Sequence, residues 1–135
     1  DVISAYNLSF LRFLEIADKL ALNVCVVTDN DGDVSALRNK YAAYLNRSNI
    51  KICFDSNVDS FPTEIEGKPY NCNTLEPKLL KSNSLQVFNG VLSKSFSKDE
   101  DLLKYMKSNK TDCALAIFKS ETKINYPQYI LDAIQ

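Results

Sequence analysis

Three carboxylates fall within five residues, Asp29-Asn30-Asp31-Gly32-Asp33, directly after the apolar run Asn23-Val-Cys-Val-Val-Thr28. Two carboxylates with one residue between them can point the same way and hold a hard divalent cation. Mg2+ suits such a pair, because it is held by one or two carboxylates and keeps waters for substrate phosphates. The plain alternative is a capped turn: Asp and Asn favour turns, and Gly32 tolerates positive φ. Three carboxylates this close repel one another without a cation, which tips the reading towards metal. The chain has 135 residues and no histidine. Ser-His-Asp and Cys-His catalysis, histidine zinc sites and histidine acid–base chemistry are therefore excluded. Any catalysis falls to carboxylates, Lys, Tyr, Ser/Thr, Cys or a metal held by oxygen.

The elements that must position these groups can be read from periodicity. Asn7 or Ser9 can cap a helix running to about Ala21, with Leu8, Leu11, Ile16 and Leu20 among its apolar positions. Residues 23–28 form a β-branched run with little alternation, which suits a parallel strand buried on both faces. A helix over 34–46 follows, with Asp33 as a candidate N-cap, and Ile50-Lys-Ile-Cys-Phe54 is the next strand. Asp1–Ala5 also reads as a strand, and the strand–helix order predicts an α/β fold with a doubly wound parallel sheet and flanking helices. In such sheets ligands bind at the carboxyl ends of the strands, which is where Asp29 and Asp31 fall. Residues 55–73 read as a long loop, with room for a short strand. Thr74 can cap a helix with Pro77 in its first turn. Helices are expected over 84–93, 98–108, 110–119 and 127–134, the last opened by Pro127. A boundary is placed near residue 82, giving an α/β domain over 1–82 and a helical C-terminal part over 83–135.

Three known loops place acidic residues in this way. The EF-hand fits poorly: its required Gly is Val34 and its bidentate Glu is Lys40. The haloacid-dehalogenase phosphatases share the apolar strand followed by Asp-x-Asp, with Asp29 as the nucleophile, but their Thr or Val two residues on is Asp33 here. The chain most resembles the Toprim domain of the overcoming-lysogenization-defect (OLD) family of ATP-dependent endonucleases, which includes the nuclease of the Gabija anti-phage system. The resemblance is carried by Val2-Ile-Ser with Phe10 and Phe13, by Val26-Val-Thr-Asp-Asn-Asp-Gly-Asp33, by Thr74-Leu-Glu76 with Leu79, and by Asn109-Lys-Thr-Asp-Cys-Ala-Leu115 with Tyr126-Pro-Gln-Tyr-Ile-Leu-Asp-Ala-Ile134. These segments span nearly the whole chain in the expected order. Their most specific part is the acidic loop taken with Thr-Leu-Glu.

The resemblance implies a metal-dependent DNA endonuclease that hydrolyses phosphodiesters with Mg2+ or Mn2+, in a two-ion scheme. Asp29, Asp31 and Glu76 would be the ligands, and Asp33 either a further ligand or a helix cap. Lys110 would neutralise charge building on the phosphate. On the residues alone, Glu76 reads as a first-turn acid complementing a helix dipole, and Lys110 as a solvated surface lysine. The family's first Toprim Glu would precede Val2, and no Gly-rich Walker A loop for ATP occurs here. The sequence is therefore expected to be a C-terminal fragment, inactive alone, with ATP used by an upstream domain. DNA is the expected partner, with a homodimer and a defence-system protein as further ones.

Residues 1–67 carry 6 basic and 10 acidic residues and residues 68–135 carry 10 basic and 7 acidic ones. Such asymmetry can set an acidic metal site beside a basic surface for a polyanion, and Lys68, Lys78, Lys81, Lys104 and Lys107 are candidates to track a DNA backbone. Tyr126 and Tyr129 are expected to pack. The four cysteines lack CxxC spacing; they are expected as free thiols in a reducing cytoplasm, Cys25 and Cys53 as small buried hydrophobes. No stretch approaches the roughly 20 apolar residues of a membrane helix. A non-catalytic module that dimerises or docks a partner is the alternative outside enzymes.

Overall fold

The computed structural model describes residues 9–135. The strand read at Asp1–Ala5, the Asn7 cap and the Val2-Ile-Ser segment lie outside them. Helix α1 (Ser9–Lys19) leads into strand β1 (Val24–Val27), helix α2 (Val34–Lys40) and strand β2 (Ile50–Cys53). The two strands pair in parallel, Val24 opposite Ile50 and Val27 opposite Cys53. Leu14, Val26, Leu37, Tyr41 and Ile50 form the core between this ribbon and helices α1 and α2. The protein is thus a mixed α/β chain. The parallel sheet among the described residues has two strands, fewer than a doubly wound sheet would show.

Strand β1 is not buried on both faces: Val26 is buried, while Cys25 and Val27 are exposed. Side chains alternate along a strand, so Cys25, Val27, Lys51 and Cys53 share the face opposite the core. Part of that face, around Cys53, is covered by the short C-terminal helix α7 (Gln128–Ile134), which packs on both strands. Cys53 is buried and Cys25 is left in solvent, their sulfurs 3.6 Å apart. All four cysteines are free thiols.

The loop after β2 carries a two-residue hairpin, β3 (Glu64–Ile65) with β4 (Lys68–Pro69), turned by Glu66 and Gly67 at φ 55° and 68°. Two successive positive φ values are what a hairpin turn matched to strand twist requires. Helices α3 (Leu75–Ser82), α4 (Leu85–Leu92), α5 (Asp99–Ser108) and α6 (Lys110–Lys119) follow. Leu79, Phe88, Leu102, Met106, Cys113, Ile117 and Ile124 form their shared core. Chain order does not separate the two cores, since α3 joins the helical one and α7 returns to the strands.

Side-chain caps fix two of these helix starts. Asp33 caps α2, accepting from the Ala36 N–H at 2.8 Å, and Ser84 caps α4 through the Val87 N–H. The regular part of α2 ends at Lys40 rather than 46, with turns over 41–46. Thr74 holds the N-cap position of α3, yet its hydroxyl donates back to the Asn71 carbonyl at 3.1 Å. Among the described residues no helix is long and apolar enough to cross a membrane.

Candidate functional site

The acidic loop leaves β1 with a fixed shape. Asn30 is buried; its Oδ1 accepts from the Gly32 N–H at 2.9 Å, and its Nδ2 donates to the carbonyls of Asp55 at 2.7 Å and Asn57 at 2.8 Å. One side chain thereby closes the loop on itself and ties the end of β1 to the end of β2. Asp31 and Gly32 both have positive φ, 52° and 90°. Gly reaches such backbone readily, and Asp does so more often than most residues; Asn71 Nδ2 donates to the Asp31 carbonyl at 2.8 Å. A Cβ on Gly32 would also stand 3.5 Å from Asn73 Nδ2.

Asn71 and Asn73 extend the stitching to α3. The Asn73 N–H donates to Asn71 Oδ1, an Asx turn just before the helix, while the Asn73 amide accepts from the Asp59 N–H and donates to the Asp59 carbonyl. The first turn of α3 is so brought beside the carboxyl end of β1. There Asp29 meets Glu76, which is buried, and Lys110, whose Nζ lies 3.2 Å from Glu76 Oε1. Lys110 opens α6 after Asn109, as its position in the sequence led us to expect.

The electrostatics of Asp29 register this crowding. Its carboxyl pKa is raised, by burial first and then by the charges of Glu76 and Asp31; hydrogen bonds from the Tyr129 hydroxyl and the Leu75 N–H oppose the shift without cancelling it. Burial pulls the Lys110 ammonium down, but Glu76, by charge and hydrogen bond, and Asp29 outweigh it, so its pKa is raised. Lys110 thus answers Glu76 and Asp29, while Asp29 still bears its burial and the charges of Glu76 and Asp31.

The structure joins Asp29, Glu76 and Lys110, with Asp31 beside Asp29 on the exposed rim. It does not join Asp33, which is exposed and occupied as the α2 cap. Among the described residues no three His, Cys, Asp or Glu side chains are drawn together tightly enough to form a metal cluster. The donors on offer are oxygens with excess negative charge, the chemistry that Mg2+ and Mn2+ prefer. A hydrated Mg2+ held by one or two carboxylates suits a spread set of this kind better than a closed cage does.

Two roles escaped sequence reasoning, one at the site and one beside it. Tyr129 is buried, and its hydroxyl donates to Asp29 Oδ1 at 3.1 Å, so it does more than pack. No local signal reports a bond across 100 positions. Lys78, a candidate for DNA contact, is instead buried, paired to Asp55 at 2.6 Å and Asp59 at 3.1 Å. Lys81 pairs with Asp59 and Lys104 with Glu66, while Lys107 lies over the Tyr70 ring. Only Lys78 is withdrawn from solvent: Lys81 and Lys104 are more than half exposed, and Lys68 is exposed on β4. A cleft of about 430 Å³ opens between the Asp55–Asp59 segment, α3 and α7, with Tyr129 in its wall.

Searches of protein-family models, of curated proteins and of solved structures return no match to this chain.

Proposed function

We propose that this chain is the acidic catalytic module of a metal-dependent DNA endonuclease, of the Toprim type that the OLD family carries. The observation that supports it best is the meeting of Asp29, Glu76 and Lys110 at the carboxyl end of a parallel strand, from three elements that chain order keeps far apart. Structural ion pairs usually balance charge, whereas here two carboxylates face one lysine, with Asp31 adding a third negative charge beside Asp29. A carboxylate whose pKa is raised by burial and by named neighbouring charges, as that of Asp29 is, marks a candidate functional site. The choice of DNA as substrate rests on the sequence resemblance.

When bound, a divalent cation would supply charge stabilisation at a phosphodiester and an acidified water. Asp29, Asp31 and Glu76 are the residues that would hold it. Glu76 is offered from the first turn of α3, and the Asp31 backbone is tied down by the Asn71 bond. Lys110 is about two-thirds exposed while its partner Glu76 is one-tenth exposed, so its ammonium can reach both the carboxylate and an incoming phosphate. A lysine there acts as a point charge on negative charge developing in the transition state.

The test is cleavage of DNA by the intact protein with Mg2+ or Mn2+. Asp31→Ala and Glu76→Ala are expected to abolish it while melting temperatures stay near the parent's. Lys110→Ala is expected to lower the cleavage rate more than DNA affinity; a lysine that only touches backbone phosphate would change affinity and its salt dependence instead. Full activity in Asp31→Ala would sink the catalytic assignment and favour an interaction module.

A further inference from the structure

Helix α7 reaches the site with the Tyr129 hydroxyl. The helix is anchored without it: α7 packs on β1 and β2, and Lys51 Nζ donates to the Asp132 carbonyl. The ring is therefore placed by helix packing, and the hydroxyl is aimed as a consequence. It is aimed at Asp29 Oδ1, 3.1 Å away, on the carboxylate that Glu76 and Asp31 repel. Left alone, that side chain would swing outward, away from its like-charged neighbours. A buried phenol donating to Oδ1 opposes the swing, and the Leu75 N–H at the start of α3 assists.

Resting on the nuclease reading, we infer that Tyr129 is a positioning residue: its hydroxyl holds Oδ1 of Asp29 so that the carboxylate presents its other oxygen to a divalent cation. The seat of α7 on the strands then sets metal affinity at a site to which the helix contributes no ligand. Carboxylates that ligate metals are themselves hydrogen-bonded, and losing such a partner typically costs about 10–100-fold in metal affinity or activity.

The experiment is Mn2+ binding by the intact protein, read from the electron paramagnetic resonance of free Mn2+, with cleavage followed against Mn2+ concentration in parallel. Tyr129→Phe keeps the ring and deletes one oxygen. It is expected to weaken Mn2+ binding by about tenfold or more, to move the activity curve to higher Mn2+, and to leave the rate at saturating Mn2+ and the melting temperature close to the parent's. In an Asp29→Ala background the same change should have no further effect on residual Mn2+ affinity, since its only route is through Asp29. Tyr126→Phe, on the helical core, should leave binding unaltered. Asp31→Ala separates the two readings. If it weakens Mn2+ binding and Tyr129→Phe does not, the Tyr129 assignment alone is overturned; if neither does, the metal site itself is wrong. A Tyr129→Phe chain that fails to fold also overturns the assignment, because the hydroxyl would then belong to the core.

Discussion

After β1 the chain sets down Asp29 and Asp31; after β2 it sets down Asp55 and Asp59. Both pairs meet helix α3, the first at Glu76 in its opening turn, the second at Lys78 and Lys81 one turn on. The second cluster balances two carboxylates against two lysines, with Lys78 buried between both acids. The first sets three carboxylates against one mostly exposed lysine. One α3 residue type decides the difference, since Glu76 adds charge of the sign already present and Lys78 adds the opposite sign. Acidic pairs after neighbouring strand ends thus yield a structural clamp in one case and a group with unmet charge in the other. Strand-end location alone does not mark a functional site; the balance of charge around it does.

The sharpest way to break this contrast is to unbalance the clamp. Lys78→Met keeps most of the aliphatic stem but leaves Asp55 and Asp59 facing each other with Lys81 alone between them. Removing one partner of a buried pair strands the other charges, so the expected loss is roughly 3 kcal/mol of folding stability. Urea denaturation would report it as a lower midpoint. A change below about 0.5 kcal/mol, the usual range for surface substitutions, would mean that the clamp is no more than surface charge.

A second contrast lies in pH. Asp59 has its pKa lowered, by the hydrogen bond from Lys81 first and with that of Lys78 prevailing over burial. A carboxylate whose pKa falls on folding contributes stability above its unfolded pKa and loses it as pH falls through the folded value. Lys78 is pulled down by burial but raised on balance by Asp55 and Asp59. Its contribution is full below its unfolded pKa and is lost as pH rises through the folded one. The stability gap between the parent and Lys78→Met should therefore be flat from about pH 5 to pH 10 and shrink below about pH 4. A gap unchanged in acid would contradict the ion-pair account.

Much of this arrangement was legible from local signals. The apolar runs at 24–27 and 50–53, the Asp33 cap and Pro77 in a first turn act over a few residues, and the helices begin within a few positions of where those signals put them, while α2 stops at Lys40, short of 46. What local signals do not carry is which charges neutralise which. Lys78 reads like any exposed lysine until α3 is packed against the 55–59 segment, and Tyr129 reads as packing until α7 returns to the strands. Cys25 and Val27 follow the same rule: a β-branched run predicts burial, yet only the neighbours on each face decide it, and α7 covers Cys53 while leaving Cys25 open. The Asn71-Cys-Asn73 segment was the overlooked local cue, because paired Asx residues before a helix start often fix a turn.

The smallest expected effect is the most diagnostic of the contrast. Asp29→Asn keeps an acceptor for the Tyr129 hydroxyl and removes a charge that Glu76 and Asp31 repel. The Asp29 pKa is raised on folding, by burial before repulsion. A carboxylate shifted upward penalises the fold when ionised: the penalty is absent below its unfolded pKa, grows between the unfolded and folded values, and is constant above. In chelator-treated protein at neutral pH, Asp29→Asn should thus be more stable than the parent, by less than about 1 kcal/mol once solvent screening of a half-buried group is allowed for. The advantage should vanish in acid, where the parent's own carboxyl is neutral. The two clusters then converge on their variants at low pH from opposite sides, the clamp by losing stability and the strand-end acids by ceasing to cost it. Adding Mg2+ should erase the Asp29→Asn advantage at neutral pH, because only the parent gains from the cation. Thermal unfolding of both proteins with chelator and with Mg2+, at neutral and acid pH, measures all four conditions. An Asp29→Asn chain less stable than the parent in chelator would show that Asp29 is a structural acceptor, satisfied where it lies, and would erase the distinction between the clusters.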